Sequence, residues 1–391
     1  MENKPILRIA CLMVTTYLFS NTVCNPALAD IAMHFSAHIS TAQNIIILYA
    51  LGLGISQLIY GPLSDIYGRR IVALAGNSLF VFASIFSLFS SSIHALLLSR
   101  FLQGLGAGYC SVIAKSILSD VYKGNFYIRA TAVLMIFSVL AQMVAPIIGG
   151  YLIYMFSWQA NFVAILLYCS ITLIILLKFL PETNPSIKGS DEVISTIFRN
   201  YITVLRKKEL WVFIFLSSLT LSCVTIYYSA SPFILQTQVG LSSFELGLTF
   251  LLTDSPFIIG CFFIYYMKNK INTRKCILVG LFIMLIGAGL MLLTSDLEYK
   301  SPLLLLLPMS VFNLGTGLVF PITTAKALLV HQNTSGASGA LIGALQMIIV
   351  ALLCFCFSRI YSGHQYSLAI TLFMITVVCI IWICCRFRRV L

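Results

Sequence analysis

The chain has 391 residues, of which 60% are hydrophobic and 9% charged, with a formal net charge of +12. Soluble domains carry about a quarter charged residues, so this composition excludes an ordinary soluble enzyme and points to lipid as the solvent. The excess of positive charge is no nucleic-acid signature, because it is divided among short loops between apolar runs.

Apolar runs of about 20 residues, the length that crosses a hydrocarbon core, recur along the whole chain. They fall at 6–29, 43–63, 71–91, 94–118, 130–155, 158–180, 211–235, 245–267, 276–294, 302–326, 336–360 and 366–386. Lipid offers the backbone no hydrogen-bond partner, so each run is expected to be a helix. Strands of a membrane barrel would be about half as long, with period-two alternation. An all-α membrane protein of twelve spans is therefore expected.

In chain order, Ala27-Leu28-Ala29 after span 1 mimics a signal-peptidase site, but the run is read as an uncleaved span. Asp30 falls at its outer end. Between spans 2 and 3, Gly61-Pro62-Leu63-Ser64-Asp65-Ile66-Tyr67-Gly68-Arg69-Arg70 reads as a tight polar hairpin. Asp65 there can accept from helix-start amides and pair with Arg69 or Arg70, while Gly61 and Gly68 permit close approach. Such a cluster would latch the two halves of a rocking transporter in its outward-facing state and break when they rock. Span 4 carries Arg100, a charge that costs roughly 2.5–3.5 kcal/mol in a membrane helix and persists only if paired or hydrated. Gln103 follows one turn on, with Gly104, Gly106 and Gly108 available for close helix packing. Span 5 contains Pro146, expected to bend the helix, and the pair Gly149-Gly150, expected to pack against the other half.

Pro181 opens the longest polar interval, 181–210. Within it, residues 191–209 place Val193, Ile194, Ile197, Phe198, Tyr201, Ile202 and Leu205 on one helical face, as expected of an amphipathic helix on the cytoplasmic membrane surface. This linker divides the chain into an N-terminal six-helix half, 1–180, and a C-terminal one, 211–391. The loop from Lys268 to Lys275 is a degenerate second copy of the 61–70 hairpin, basic but lacking the acid and both glycines. Paired six-span halves with a midplane site between them are a known transporter plan. Among the acids, only Asp254, about nine residues into span 8, lies deep within a run. An intramembrane carboxylate is a functional candidate by default.

Lysines and arginines predict the orientation. With the N-terminus inside, the cytoplasmic loops hold Arg69, Arg70, Lys123, Arg129, Lys188, Arg199, Arg206, Lys207, Lys208, Lys268, Lys270, Arg274 and Lys275. On the opposite side stand Lys300 and Arg359, with Arg100 a turn or two inside span 4. The positive-inside rule then puts both termini in the cytoplasm. The sequence contains no GxxxxGK[ST] phosphate loop, no HExxH and no CxxC. Neither enzymatic chemistry nor a metal or cofactor is expected.

These motifs together resemble the major facilitator superfamily. The loop signature is carried by Gly61, Leu63, Ser64, Asp65, Gly68, Arg69 and Arg70. The span-4 signature of the drug:proton antiporter family is carried by Arg100-Phe101-Leu102-Gln103-Gly104-Leu105-Gly106-Ala107-Gly108. The span-5 antiporter signature is carried by Ala145-Pro146-Ile147-Ile148-Gly149-Gly150 with Trp158 and Phe162. Tyr228-Ser229-Ala230-Ser231-Pro232-Phe233 and Gly240-Leu241-Ser242 resemble span 7 and its following loop in the bicyclomycin/chloramphenicol-resistance (Bcr/CflA) type. The resemblance implies two pseudo-symmetric six-helix halves and alternating access. It also implies export of small amphipathic molecules against inward proton flow in a bacterial inner membrane, by a monomer. It links Arg100 to proton movement and gives span 5 the task of sealing against leak. It lines the cavity with spans 1, 4, 7 and 10, here offering Tyr17, Asn21, Asn25, Gln103, Tyr109, Thr225, Tyr227, Tyr228 and Asn313. One departure matters: Thr22 stands where the family's first span usually carries the proton-accepting acid. Asp254 is then the proton-coupling candidate, and a dedicated metabolite or siderophore importer or uniporter is the alternative reading.

Overall fold

The computed structural model describes residues 4–184, 199, 201–266, 272–295, 301–330 and 335–386. Among the described residues, twelve helices are long and apolar enough to cross a membrane, and no strand occurs. Span 1 is Lys4–Thr22, continued past a 3-10 turn at Asn25–Ala27 by a short helix, Leu28–His34. Spans 2 to 6 are Ile39–Tyr67, Arg69–Leu88, Ile93–Val121, Gly124–Met155 and Gln159–Phe179. Spans 7 to 12 are Lys208–Leu235, Ser243–Tyr266, Thr273–Leu293, Leu303–Leu329, Ser335–Ile360 and Gln365–Arg386.

Helix ends are set by local chemistry. The Ser92 side chain accepts from the Ala95 amide and starts span 4, and Asn272 accepts from Arg274 and starts span 9; each satisfies an orphan donor of a first turn. Pro26 carries no N–H, so span 1 breaks around it instead of running through as one helix. The 61–70 segment is not a hairpin of loop residues. Span 2 stays helical through Tyr67, and the reversal is confined to Gly68, whose φ of 93° favours glycine. A Cβ at Gly68 would also run into the Glu182 carboxylate. The apolar stripe expected at 191–209 lies largely outside the described residues. Of its described members, Tyr201 packs on Ile66 of span 2, and nearby Val204 belongs to the core.

Polarity is inverted relative to a soluble protein. Phe82, Phe262 and Phe282 are exposed on the outside, whereas Gln43, Arg100, Gln103 and Asn161 are fully buried. That is the pattern expected when the outer surface meets lipid and polar groups find partners between helices. Within the N-terminal half, span 4 packs on spans 2 and 3; within the C-terminal half, span 10 packs on spans 8 and 9. Between the halves, span 2 packs on span 11 and span 5 on span 8. A two-fold axis that carries span 2 onto span 8 carries span 5 onto span 11, so these are one contact made twice. The result is two pseudo-symmetric six-helix halves.

Candidate functional site

A cavity of about 280 Å³ lies between the halves. Span 1 contributes Tyr17, Asn21 and Asn25, span 4 Ser111 and Lys115, span 5 Ser138 and Gln142, and spans 7, 8 and 10 Thr225, Tyr228, Asp254 and Asn313. Leu, Val, Met and Phe side chains fill most of the remaining wall, the mix expected of a site for an amphipathic ligand.

On its wall, spans 7, 8 and 10 converge on Asp254. The Tyr228 hydroxyl donates to Oδ2 at 2.6 Å, and Asn313 Nδ2 approaches Oδ1 at 3.3 Å while donating to the Thr253 carbonyl at 2.8 Å. Asp254 is 8% exposed, and no basic side chain lies within ion-pair distance of it among the described residues. A carboxylate held by two neutral donors instead of a fixed cation can change protonation without leaving an opposite charge stranded.

The structure brings Asp254, Tyr228 and Asn313 together and puts Tyr17, Asn21 and Asn25 on the same cavity. It does not bring Tyr109 or Tyr227 there. Both are fully buried packing residues: Tyr109 sits between Gly76 and the Tyr60 ring, and Tyr227 lies edge-on to Phe250. Gln103 also faces away from the cavity, towards Ser84 and Ser87 of span 3. Thr22 bonds the Leu18 carbonyl of its own helix at 3.0 Å and is absent from the cavity wall.

Arg100 does not reach for the membrane surface. It is fully buried, donating to the carbonyls of Ile45 at 3.2 Å and Ser20 at 3.3 Å and to Gln103 Oε1 at 2.8 Å. Its guanidinium stacks 4.3 Å from the Tyr49 ring centre. Gly104 lets the span 2 backbone in at this point, since a Cβ would collide with the Tyr49 carbonyl. Spans 1, 2 and 4 are thus tied by one cation whose hydrogen-bonding partners are neutral.

On the face bearing the 61–70 segment, Arg69 binds Asp65 at 2.5 Å, Asp120 at 3.1 Å and the Ser64 hydroxyl at 2.6 Å. The helix-start amides of span 3 are taken by Glu182, not by Asp65: Arg69 and Arg70 donate to it at 2.9 and 3.1 Å. Thr183 and Asn184 add two more amides. Desolvation pushes the Glu182 carboxyl up, but these four amides outweigh it and hold the group below its usual range. Arg70 reaches the Leu177 carbonyl, and Asn184 donates to the Asp65 carbonyl. These partners all lie between Ser64 and Asn184, so the hydrogen bonds of the cluster tie the N-terminal half to itself instead of latching the two halves together. Gly61, on span 2, faces Ala340 of span 11.

The opposite face is closed across the halves. Gln43 donates to the Ser229 carbonyl at 3.2 Å, Gln236 to the Pro26 carbonyl at 3.0 Å and Ser243 to Asp30 Oδ2 at 3.1 Å. Gly150 packs on the Ser243 backbone of span 8, Gly149 on the Val23 carbonyl, and the Pro146 carbonyl on Gly247.

Sequence reasoning missed Asp120, Glu182 and Lys115. Asp120 closes span 4 on the side where Arg69 begins span 3, so helix connectivity alone could have paired them. Lys115 lies within the apolar run 94–118, and the insertion cost that singled out Arg100 applies equally to it.

A model of the Major Facilitator Superfamily matches residues 10–353, and the chain belongs to that family. An uncharacterized transporter of Rickettsia bellii (strain RML369-C) is 30% identical over 382 residues, covering 95% of this chain and 94% of the relative. Multidrug resistance protein D of Escherichia coli (strain K12) is 28% identical over 353 residues, covering 89% and 86%. Among solved structures, a peptide transporter POT in complex with alafosfalin superposes with a TM-score of 0.78 at 13% identity, covering 98% and 95%. The xylose transporter XylE of E. coli, in a partially occluded inward open conformation, gives 0.74 at 14% identity, covering 98% and 97%. At these identities the superpositions establish the fold, and the family makes the chain a multi-pass membrane transporter.

Proposed function

We propose that the protein is a secondary active exporter of small amphipathic molecules, of the Bcr/CflA type of drug:proton antiporter. It works by alternating access and is driven by protons taken up at Asp254. The observation that carries this is the convergence of Tyr228, Asp254 and Asn313, from three spans, on the wall of a cavity between the halves. The name of multidrug resistance protein D, a relative over most of both chains, supports the efflux direction.

The coupling follows from hydrogen-bond directions. As a carboxylate, Asp254 accepts from Tyr228 and Asn313 at once. Protonation removes the charge that strengthens both contacts and makes one oxygen a donor, so both bonds weaken and the Tyr228 hydroxyl can turn from donating to accepting. Spans 7, 8 and 10 are thereby re-packed by one protonation, a local charge change acting on a two-state element. Asp30, Gln43, Gln236 and Ser243 take part in bonds between the halves on the face opposite the 61–70 segment; in this reading that face is the outer one, and the bonds part when it opens.

The test is a screen of amphipathic compounds in proteoliposomes with and without an imposed pH gradient. Gradient-dependent accumulation of at least one compound is expected. Flux that is indifferent to the gradient favours the second reading, a uniporter or importer of a dedicated metabolite, which Thr22's bond to its own helix keeps in view.

A further inference from the structure

Among the described residues, two lysine, arginine, aspartate or glutamate side chains line the cavity between the halves, Asp254 and Lys115. They differ in one respect. Asp254 is held by Tyr228 and Asn313. Lys115 has no hydrogen bond or ion pair to any side chain or carbonyl among the described residues, in contrast to Arg69, Arg70 and Arg100, each of which has its acceptors. Nor is Lys115 packed away. From Gly106 to Leu118 the other residues of span 4 are buried and Lys115 alone is exposed, onto the cavity. Ser111, one turn away on the same helix face, lines it too. Snorkelling would take the amine outwards through lipid, but this side chain belongs to the wall shared by the halves.

At the other end of the same cavity, Asn25 is 1% exposed, and neither its Oδ1 nor its Nδ2 has a partner. A buried amide left unpaired costs free energy unless something supplies the bonds. The site thus offers a cation without a counter-ion, an amide without partners, an apolar wall between them and a carboxylate already engaged.

We infer that the transported molecule is an amphipathic organic anion whose carboxylate or equivalent acidic group pairs with Lys115, its apolar body lying along the Leu, Met and Phe wall. This inference rests on the transport reading above and adds to it the charge of the substrate. A cationic substrate would face the free ammonium at close range with only an engaged carboxylate to answer it. Charge-assisted hydrogen bonds are the stronger kind, and inside a water-poor cavity the pairing selects by sign as well as by shape.

The experiment uses full-length protein in phosphatidylcholine nanodiscs, so that no anionic headgroup competes, and measures equilibrium binding without any gradient. The probes are 1-naphthoate, 1-naphthamide and 1-naphthylmethylammonium, which share an apolar body and differ in charge. Wild type is expected to bind naphthoate at least about tenfold more tightly than the other two, the scale of one buried hydrogen bond to a charged group. Lys115→Gln should erase that preference, and a monodisperse elution profile with a thermal unfolding midpoint close to wild type shows that the variant is folded. Lys115→Arg should keep it. Equal binding of the three probes, tighter binding of the ammonium, absence of naphthoate binding, or a preference that survives Lys115→Gln each overturns the inference. Because binding is read without a gradient, failure of proton coupling leaves this result standing. Gradient-driven flux of a cation with no anion preference removes this inference alone.

Discussion

Arg100 shows how far one residue can be read without coordinates. A charge placed inside an apolar run has to be satisfied somewhere, and the structure satisfies it with two carbonyls, one amide and one ring. A planar fork can hold three acceptors in fixed directions, whereas an ammonium on a flexible stem cannot. Arg100→Ala is therefore expected to abolish transport and Arg100→Lys to restore only part of it; normal rates with Lys or Gln would contradict this. Tyr228 makes a second case. Tyr228→Phe removes a hydrogen bond to a charged group, worth about 1.5–3 kcal/mol, without changing the ring. Uphill transport should fall at least about tenfold while downhill exchange persists, read as initial rates with and without a gradient. Tyrosines were the least legible residues. Tyr109 and Tyr227 look like Tyr17 and Tyr228 in the sequence, but a ring in a membrane helix can serve the core or the cavity, and only rotation about the helix axis decides which.

At the scale of the elements, helix existence was legible and helix joints were not. Apolar length reports a span, but nothing in Gly61–Tyr67 says that it is the last part of span 2, or that Gly68 alone turns the chain. The Asp65–Arg69 pair was legible from its spacing. Its third member, Asp120, was reachable only through the up-and-down order of the helices, and the Glu182 cap was not legible, because it comes from the segment that follows span 6. Asp65→Asn and Arg69→Ala should each slow transport without preventing insertion, because they remove one side of a network that includes Ser64 and Asp120. Wild-type rates in both, at normal expression, would reduce the segment to a connector. At the opposite face, Gly150→Leu should hold the halves apart, since even a Cβ there would collide with the Ser243 carbonyl. Distances between spin labels on spans 5 and 8 should lengthen, and a distribution identical to wild type would count against closure at this contact.

At the scale of the whole molecule, twelve spans in two halves were legible because hydropathy and loop charge repeat, and the cavity was not, because it is built from residues spread over Val14 to Val350. Orientation is expected to follow the positive-inside rule. In a background lacking exposed Cys356, Cys384 and Cys385, Lys123→Cys should be labelled from the cytoplasmic side and Ser91→Cys from outside; the reverse pattern would invert the account. Proton coupling sets the energy scale. One charge crossing the full potential releases about 2.3 kcal/mol per 100 mV, enough for a gradient of roughly fifty-fold. The most direct test of coupling is uphill accumulation by Asp254→Asn in proteoliposomes with an imposed pH gradient, beside wild type, using a substrate found in the screen. Loss of accumulation with retained downhill exchange is expected. Accumulation equal to wild type would contradict proton uptake at Asp254.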